Sequence, residues 1–251
     1  MRCYRCRDPF ADGGRGPGED GVDERGVPAD LPIERGARAG YLHDQFARAL
    51  ARPDGTGIGL LDVLASACRR GELEPDVAVL ILVQLVGAGG ESTAGLIANA
   101  ARILAEHPGI QDRLRADTAA IPAFLEEVAR VESPFRGHHR HITREATLGE
   151  VALPAGGHLL LMWGAANRDP GTFTDPDIVD VDRSGRTILA FGKGALFCIG
   201  AAMARVEALA AITTLLEHTT GFGLVDDAPP RWVLSLMVRR LASLPLWVRL
   251  Q

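Results

Sequence analysis

The stretch from Glu74 to Gly109 constrains this chain most. Glu74-Pro75-Asp76 opens it, His107-Pro108-Gly109 closes it, and the residues between are predominantly apolar. Acidic residues and a proline suit the first turn of a helix, and Pro-Gly stops one. The longest uninterrupted apolar run, Val77 to Gly90, is 14 residues long and contains Gln84. That is short of a bilayer span and predicts a buried helix. A chain organised around one long buried helix is expected to be mainly α-helical.

Inside that stretch, Gly87-Ala88-Gly89-Gly90-Glu91-Ser92-Thr93 admits two readings. Val77 to Val86 could be a strand whose glycine turn leads into a helix that binds a pyrophosphate. In that reading Ser92 stands where the third glycine or an alanine belongs, and no repeated strand pattern follows. Alternatively the segment is one helix from about Pro75 to His107, loosened by glycines that each cost roughly 1 kcal/mol against alanine in an exposed interior. Such a cost suggests close approach by another group, or simply tight helix packing with Glu91 solvated. Glu91 and Ser92 together could relay protons. This segment alone leaves the choice open.

Around it the periodicity predicts helices over Gln45–Arg52, Gly59–Arg70, Ile110–Ala116, Ile121–Val131 and Cys198–Thr219. Ser133-Pro134 stops the fourth of these, because a residue before proline is pushed out of the helical region. Val151 to Gly157 suggests two short strands around a turn, and Ala165 to Arg186 is turn-rich. Phe222–Val225, Leu234–Val238 and Leu246–Val248 are expected to be strands. Residues 1–40 differ, with 15 charged residues and eight glycines and no apolar period. They are expected to be disordered or unrelated to the remainder, a single domain from Tyr41 to Gln251.

Net charge of −5 leaves no global basic field for nucleic acid or an anionic membrane. No basic segment followed by an apolar stretch marks a secretory signal, so a cytoplasmic location is expected. Cys3, Cys6, Cys68 and Cys198 are few for this length and are read singly. Cys3-x-x-Cys6 is one pair in an aperiodic stretch, which does not make a metal cluster.

Cys198 is different. Phe191-Gly192-Lys193-Gly194-Ala195-Leu196-Phe197-Cys198-Ile199-Gly200 precedes an amphipathic helix, where amide donors and the helix dipole favour a thiolate. The glycines free the backbone to bend around the sulfur and let a flat group lie close. With no adjacent His or Cys the residue makes a poor zinc site, and it lacks the base of a cysteine protease. It suits a single axial ligand to haem iron.

This segment resembles the haem-binding signature of the cytochrome P450 family, Phe-Gly-x-Gly-x-(His or Arg)-x-Cys-x-Gly. Phe191, Gly192, Gly194, Cys198 and Gly200 match, while Leu196 replaces the basic residue that usually contacts a haem propionate. Three further segments follow the family order. Glu127-Val128-Ala129-Arg130 resembles its Glu-x-x-Arg motif, with both side chains on one helix face. The resemblance implies Arg183 as their third, supporting partner. In His138-His139-Arg140-His141, adjacent histidines point to opposite faces and cannot all hold one ion. Arg140 occupies the place of a propionate-binding arginine. Ala166-Asn167-Arg168-Asp169-Pro170, with Phe173 and Pro176, also resembles bacterial members and is scaffold.

In that frame the glycine-rich segment resembles the family's distal helix, (Ala or Gly)-Gly-x-(Asp or Glu)-Thr. Ala88, Gly89 and Glu91 match, Ser92 stands in the threonine position, and Thr93 follows. Serine keeps the hydroxyl but loses the β-branch that fixes its rotamer.

The resemblance implies a mainly α fold with small β-sheets, the C-terminal part of the cytochrome P450 fold. It implies haem b ligated by Cys198, and oxygenation (hydroxylation or epoxidation) of a small organic substrate. Glu91, Ser92 and Thr93 are its implied proton-delivery residues. Electrons would come from a ferredoxin or flavodoxin with its reductase, with Lys193 and Arg205 offering local positive charge. The family's N-terminal helical and β portion has no counterpart in residues 1–40. A second expectation is therefore a truncated, non-catalytic homologue that binds haem weakly or not at all.

Overall fold

The computed structural model describes residues 2–7, 31–53, 57, 59–183 and 187–251. They form two compact units, Gly13–Gly90 and Met1–Asp12 with Glu91–Gln251.

The first unit holds α1 (Leu31–Leu50), α2 (Leu60–Arg69) and the opening turns of α3 (Pro75–Glu106). Asp62 caps α2 by accepting from the Gly59 amide at 3.2 Å. Arg69 donates to the carbonyls of Leu50 and Arg52, closing the end of α1 against α2. Phe46, Ala49, Leu64, Ala65, Ala78 and Leu82 make its buried cluster. The boundary expected at Tyr41 falls inside α1, and residues 8–30 lie outside the described residues.

The long helix runs through the glycines without a break, which removes the strand–turn–helix alternative. Its early turns are not the buried helix expected from the apolar run: Leu80 is 65% exposed and Val86 47%. Nor is the apolar stretch short of a bilayer span. The helix continues to Glu106 and contains an 18-residue window of mean hydropathy 1.6, long and apolar enough to cross a membrane. The central helix of a soluble domain has the same composition.

In the second unit, α3 continues from Glu91 beside α4 (Pro108–Ala116), α5 (Ile121–Val131) and α7 (Ala201–Glu217). Proline stands in the first turn of both α4 and α5, where its missing N–H costs nothing. Leu104, Leu114, Ile121, Phe124, Val128, Ala208 and Ile212 form the centre of a continuous core.

One sheet has the order β1 (Arg2–Arg7), β8 (Leu241–Leu250), β6 (Thr219–Leu224), with β7 (Arg231–Trp232) also on β8. Gln111 joins helix to sheet: its side chain donates to the carbonyls of Leu104 and Phe222 and accepts from the Phe222 amide. Two ribbons complete the unit, β2 (His138–His141) with β5 (His158–Leu161) and β3 (Ala146–Leu148) with β4 (Val151–Leu153). The strands flanking the turn at Pro154–Gly157 thus pair with other strands rather than with each other. A short helix, α6 (Trp163–Ala166), follows β5.

Leu234–Val238 is not the strand its apolar residues suggested. The Ser235 hydroxyl accepts from the Met237 and Val238 amides, making a turn that leaves Leu234 and Leu236 exposed. Val238 bridges to Phe135, and the Met237 carbonyl accepts from the Arg136 amide at 2.8 Å.

Candidate functional site

Cys198 lies in an exposed loop just before α7, which begins after the Gly200 cap. Its amide donates to the Phe191 carbonyl at 2.9 Å, and its own carbonyl accepts from the Ala201 amide at 3.2 Å. These bonds close the ten-residue signature into one loop and fix the sulfur at the head of the helix. Gly192 and Gly194 have φ of +72° and +70°, a region that L side chains enter only with strain. A Cβ on Gly192 would also press on the Leu196 carbonyl at 3.3 Å. A Cβ on Gly200 would stand 3.8 Å from the Cys198 sulfur, filling space beside it.

Around the sulfur the side chains are apolar and open. Leu196 is 71% exposed, Phe197 51% and Ile199 91%. An exposed apolar collar of this kind marks a surface made to be covered. Among the described residues no group of three or more His, Cys, Asp or Glu could chelate an ion. The donor set is therefore one soft sulfur in an apolar, glycine-lined cradle, which fits a haem with a single protein ligand.

Behind the loop, a cavity of about 400 Å³ is lined by Glu126, Glu127, Arg183, Phe191, Phe197 and Arg205. Glu127 and Arg130 pair on α5 through two bonds of 2.8 Å each. Arg130 is fully buried, and its remaining donors go to the carbonyls of Asn167, Pro176 and Ile178. Arg183 donates to Glu127 at 3.1 Å, and the Asp180 amide reaches the same carboxylate oxygen at 3.1 Å. Burial pushes the Glu127 carboxyl up, but these donors outweigh it and hold it below the usual carboxylate range. The three residues act as a clamp on the irregular segment that leads into the cysteine loop.

Asn167, expected as part of a scaffold segment, and Arg205, expected to offer local positive charge, both support the site through contacts the sequence does not show. Asn167 is fully buried, donating to the Ser133 hydroxyl at 2.9 Å and accepting from the Leu189 amide at 2.7 Å. Arg205 stacks 4.4 Å from the Phe191 ring centroid and pairs with Glu126, which raises its already high pKa. Its charge is thus matched within the unit, unlike that of exposed Lys193. Phe191 belongs to the signature and Arg205 does not, so only the tertiary fold reveals the pairing.

Arg140 sits on β2, half-buried, and donates to the His139 carbonyl at 2.9 Å. On the same strand the His138 ring accepts from Trp163 at 2.7 Å. Burial, with the nearby Arg140 charge, lowers the His138 pKa. On α3 the carboxylate of Glu91 pairs with Arg240 at 2.7 Å, across 149 residues of sequence. Ser92 is half-buried and Thr93 is 7% exposed. Ala88 and Gly89 are exposed on the preceding turn.

The Cytochrome P450 family profile matches residues 52–220 of this chain. Cytochrome P450 144 of Mycobacterium tuberculosis is 46% identical over 212 residues, which cover 84% of this chain and 48% of that protein. The chain thus spans about half the length of that relative. The structure of CYP109E1 from Bacillus megaterium with testosterone superposes with a TM-score of 0.79 at 29% identity, covering 86% of this chain and 60% of the other. The tirandamycin C-bound P450 monooxygenase TamI gives a TM-score of 0.80 at 35% identity, covering 90% and 56%. With the cysteine loop, the α5 clamp and these likenesses in one order along the sequence, the chain belongs to the cytochrome P450 family.

Proposed function

We propose that this chain carries the haem-ligating and oxygen-activating part of a haem-thiolate monooxygenase that hydroxylates or epoxidises a small organic substrate. The observation that carries the reading is the open Cys198 sulfur, set at the head of α7 within an apolar, glycine-lined collar. Haem b, when bound, supplies oxygen activation, promoted by electron donation from a thiolate. The net reaction would take two electrons and two protons, placing one oxygen atom in the substrate and the other in water.

The protein's own residues bind, orient and move protons. Cys198 would hold a haem iron, and Phe191, Gly192, Gly194 and Gly200 would shape the loop around it. Arg140 offers a guanidinium to a propionate, a charge-assisted pairing that its fork suits. Such a pairing would replace its bond to the His139 carbonyl. Ala88 and Gly89 keep the distal helix slim, so that substrate can lie beside it. Glu91 takes up protons at its carboxylate and passes them through the Ser92 hydroxyl, with buried Thr93 holding the turn. The Arg240 contact keeps the Glu91 carboxylate aimed. Electrons come from a ferredoxin or flavodoxin with its reductase, and exposed Lys193 is a contact for such an acidic donor in the cytoplasm.

Reconstitution with haem, reduction and exposure to carbon monoxide test the reading. The expected result is a strongly red-shifted Soret band that disappears in Cys198→Ala, with a pyridine haemochrome spectrum of the b type. Failure to take up haem, or an unchanged band in Cys198→Ala, would overturn it.

A further inference from the structure

The β2–β5 ribbon carries a pair of histidines that the proposed oxygenation does not use. Its register places His141 directly opposite His158. Opposed residues of an antiparallel pair share a face, with Cβ atoms about 4.5–5.5 Å apart. Here the two imidazole centroids are 5.4 Å apart and the rings are inclined by 55°. Both residues are exposed, so an ion reaches them from solvent without opening the fold.

That separation has a chemical meaning. A tetrahedral ion held at about 2.1 Å from one nitrogen of each ring would set the centroids about 5 Å apart. The observed spacing therefore needs only small side-chain rotations to close on a shared ion. Imidazole nitrogen suits the late first-row divalent metals, copper, nickel and zinc. His139 shares the face two residues along β2 but stands opposite Leu160 rather than His158. Among the described residues no third His, Cys, Asp or Glu closes around the pair, so solvent completes the coordination sphere. Adjacent histidines diverge, as the sequence implies, but the second ligand comes from another strand.

We propose that His141 and His158 form a cross-strand chelate for a late first-row divalent ion. The bound ion clamps β2, the strand that carries Arg140, to β5. The chelate stands independently of haem binding.

Calorimetric titration of the full chain with nickel chloride tests it, using the wild type, His141→Thr, His158→Thr, the double variant and His139→Thr. Threonine retains strand preference. Because the second imidazole binds intramolecularly, either single substitution is expected to weaken nickel binding by about 100-fold. The double variant should be no weaker than the singles, and His139→Thr should match the wild type. Unchanged binding in either single variant, or an equal loss in His139→Thr, would overturn the proposal. A second measurement needs no variant: substoichiometric nickel should broaden the His141 and His158 imidazole resonances together. Broadening that begins at other histidines would equally overturn it.

Discussion

Arg130 is the most demanding side chain in this molecule, a guanidinium with no exposure whose donors go to Glu127 and to three backbone carbonyls. A buried ion pair is costly to break from one side, because the remaining charge is stranded. Arg130→Ala is therefore expected to lower stability by about 3–5 kcal/mol, read from the urea midpoint. The Glu127 carboxyl, held below its usual range, adds a pH signature. A depressed pKa contributes fully above the unfolded value of about 4.3 and is lost as pH falls through the folded value. Glu127→Gln should be less stable than the wild type at neutral pH and show a flatter decline below pH about 4.3. Stability measured against pH from 6 downward would show equal slopes if the clamp were not ionised. The pairing of Glu127 with Arg130 was legible because i, i+3 spacing dictates it. The partner of Glu91 was not, since Arg240 reaches it from 149 residues away.

Among the elements, α5 has the limits its sequence sets, Ile121–Val131, because proline chemistry acts within a few residues. Strand pairing does not obey such local rules. Val151 to Gly157 was expected to hold two short strands around a turn, yet Val151–Leu153 forms a hairpin with Ala146–Leu148, and the next strand, His158–Leu161, reaches back to His138–His141. Gly137, just before β2, shows how tight that pairing is: a Cβ there would lie 2.7 Å from the Leu161 carbonyl of β5. Backbone cannot yield as a flexible side chain does, so Gly137→Ala should cost about 1–3 kcal/mol, measurable by denaturant titration. Gly95 on α3 gives the opposite expectation. Its Cβ would meet Arg240 and Pro134 at 3.4 and 3.7 Å, ordinary contact distances. Gly95→Ala should raise stability by up to about 1 kcal/mol through helix propensity, and a lowered thermal midpoint would contradict this.

At the scale of the whole molecule, the two units have unequal cores. Among the described residues, the unit Gly13–Gly90 buries six apolar side chains in its cluster, while the other buries a continuous core from α3 to β8. Trp163, Trp232 and Trp247 all belong to the larger unit. Tryptophan fluorescence therefore follows that unit alone, whereas far-ultraviolet circular dichroism follows both. The dichroism midpoint in guanidinium is expected below the fluorescence midpoint, and coincident curves would mean a single cooperative transition.

The sequence by itself determined the helices with proline and glycine punctuation, the cysteine loop, and the order of family motifs, because each rests on residues a few positions apart. The tertiary structure decided which strands pair, that the Asp180 amide joins Arg183 on the Glu127 carboxylate, and that His141 faces His158. It also decided that the apolar early turns of α3 are exposed. Those outcomes depend on which distant segments reach the same place, and local propensity carries no information about that.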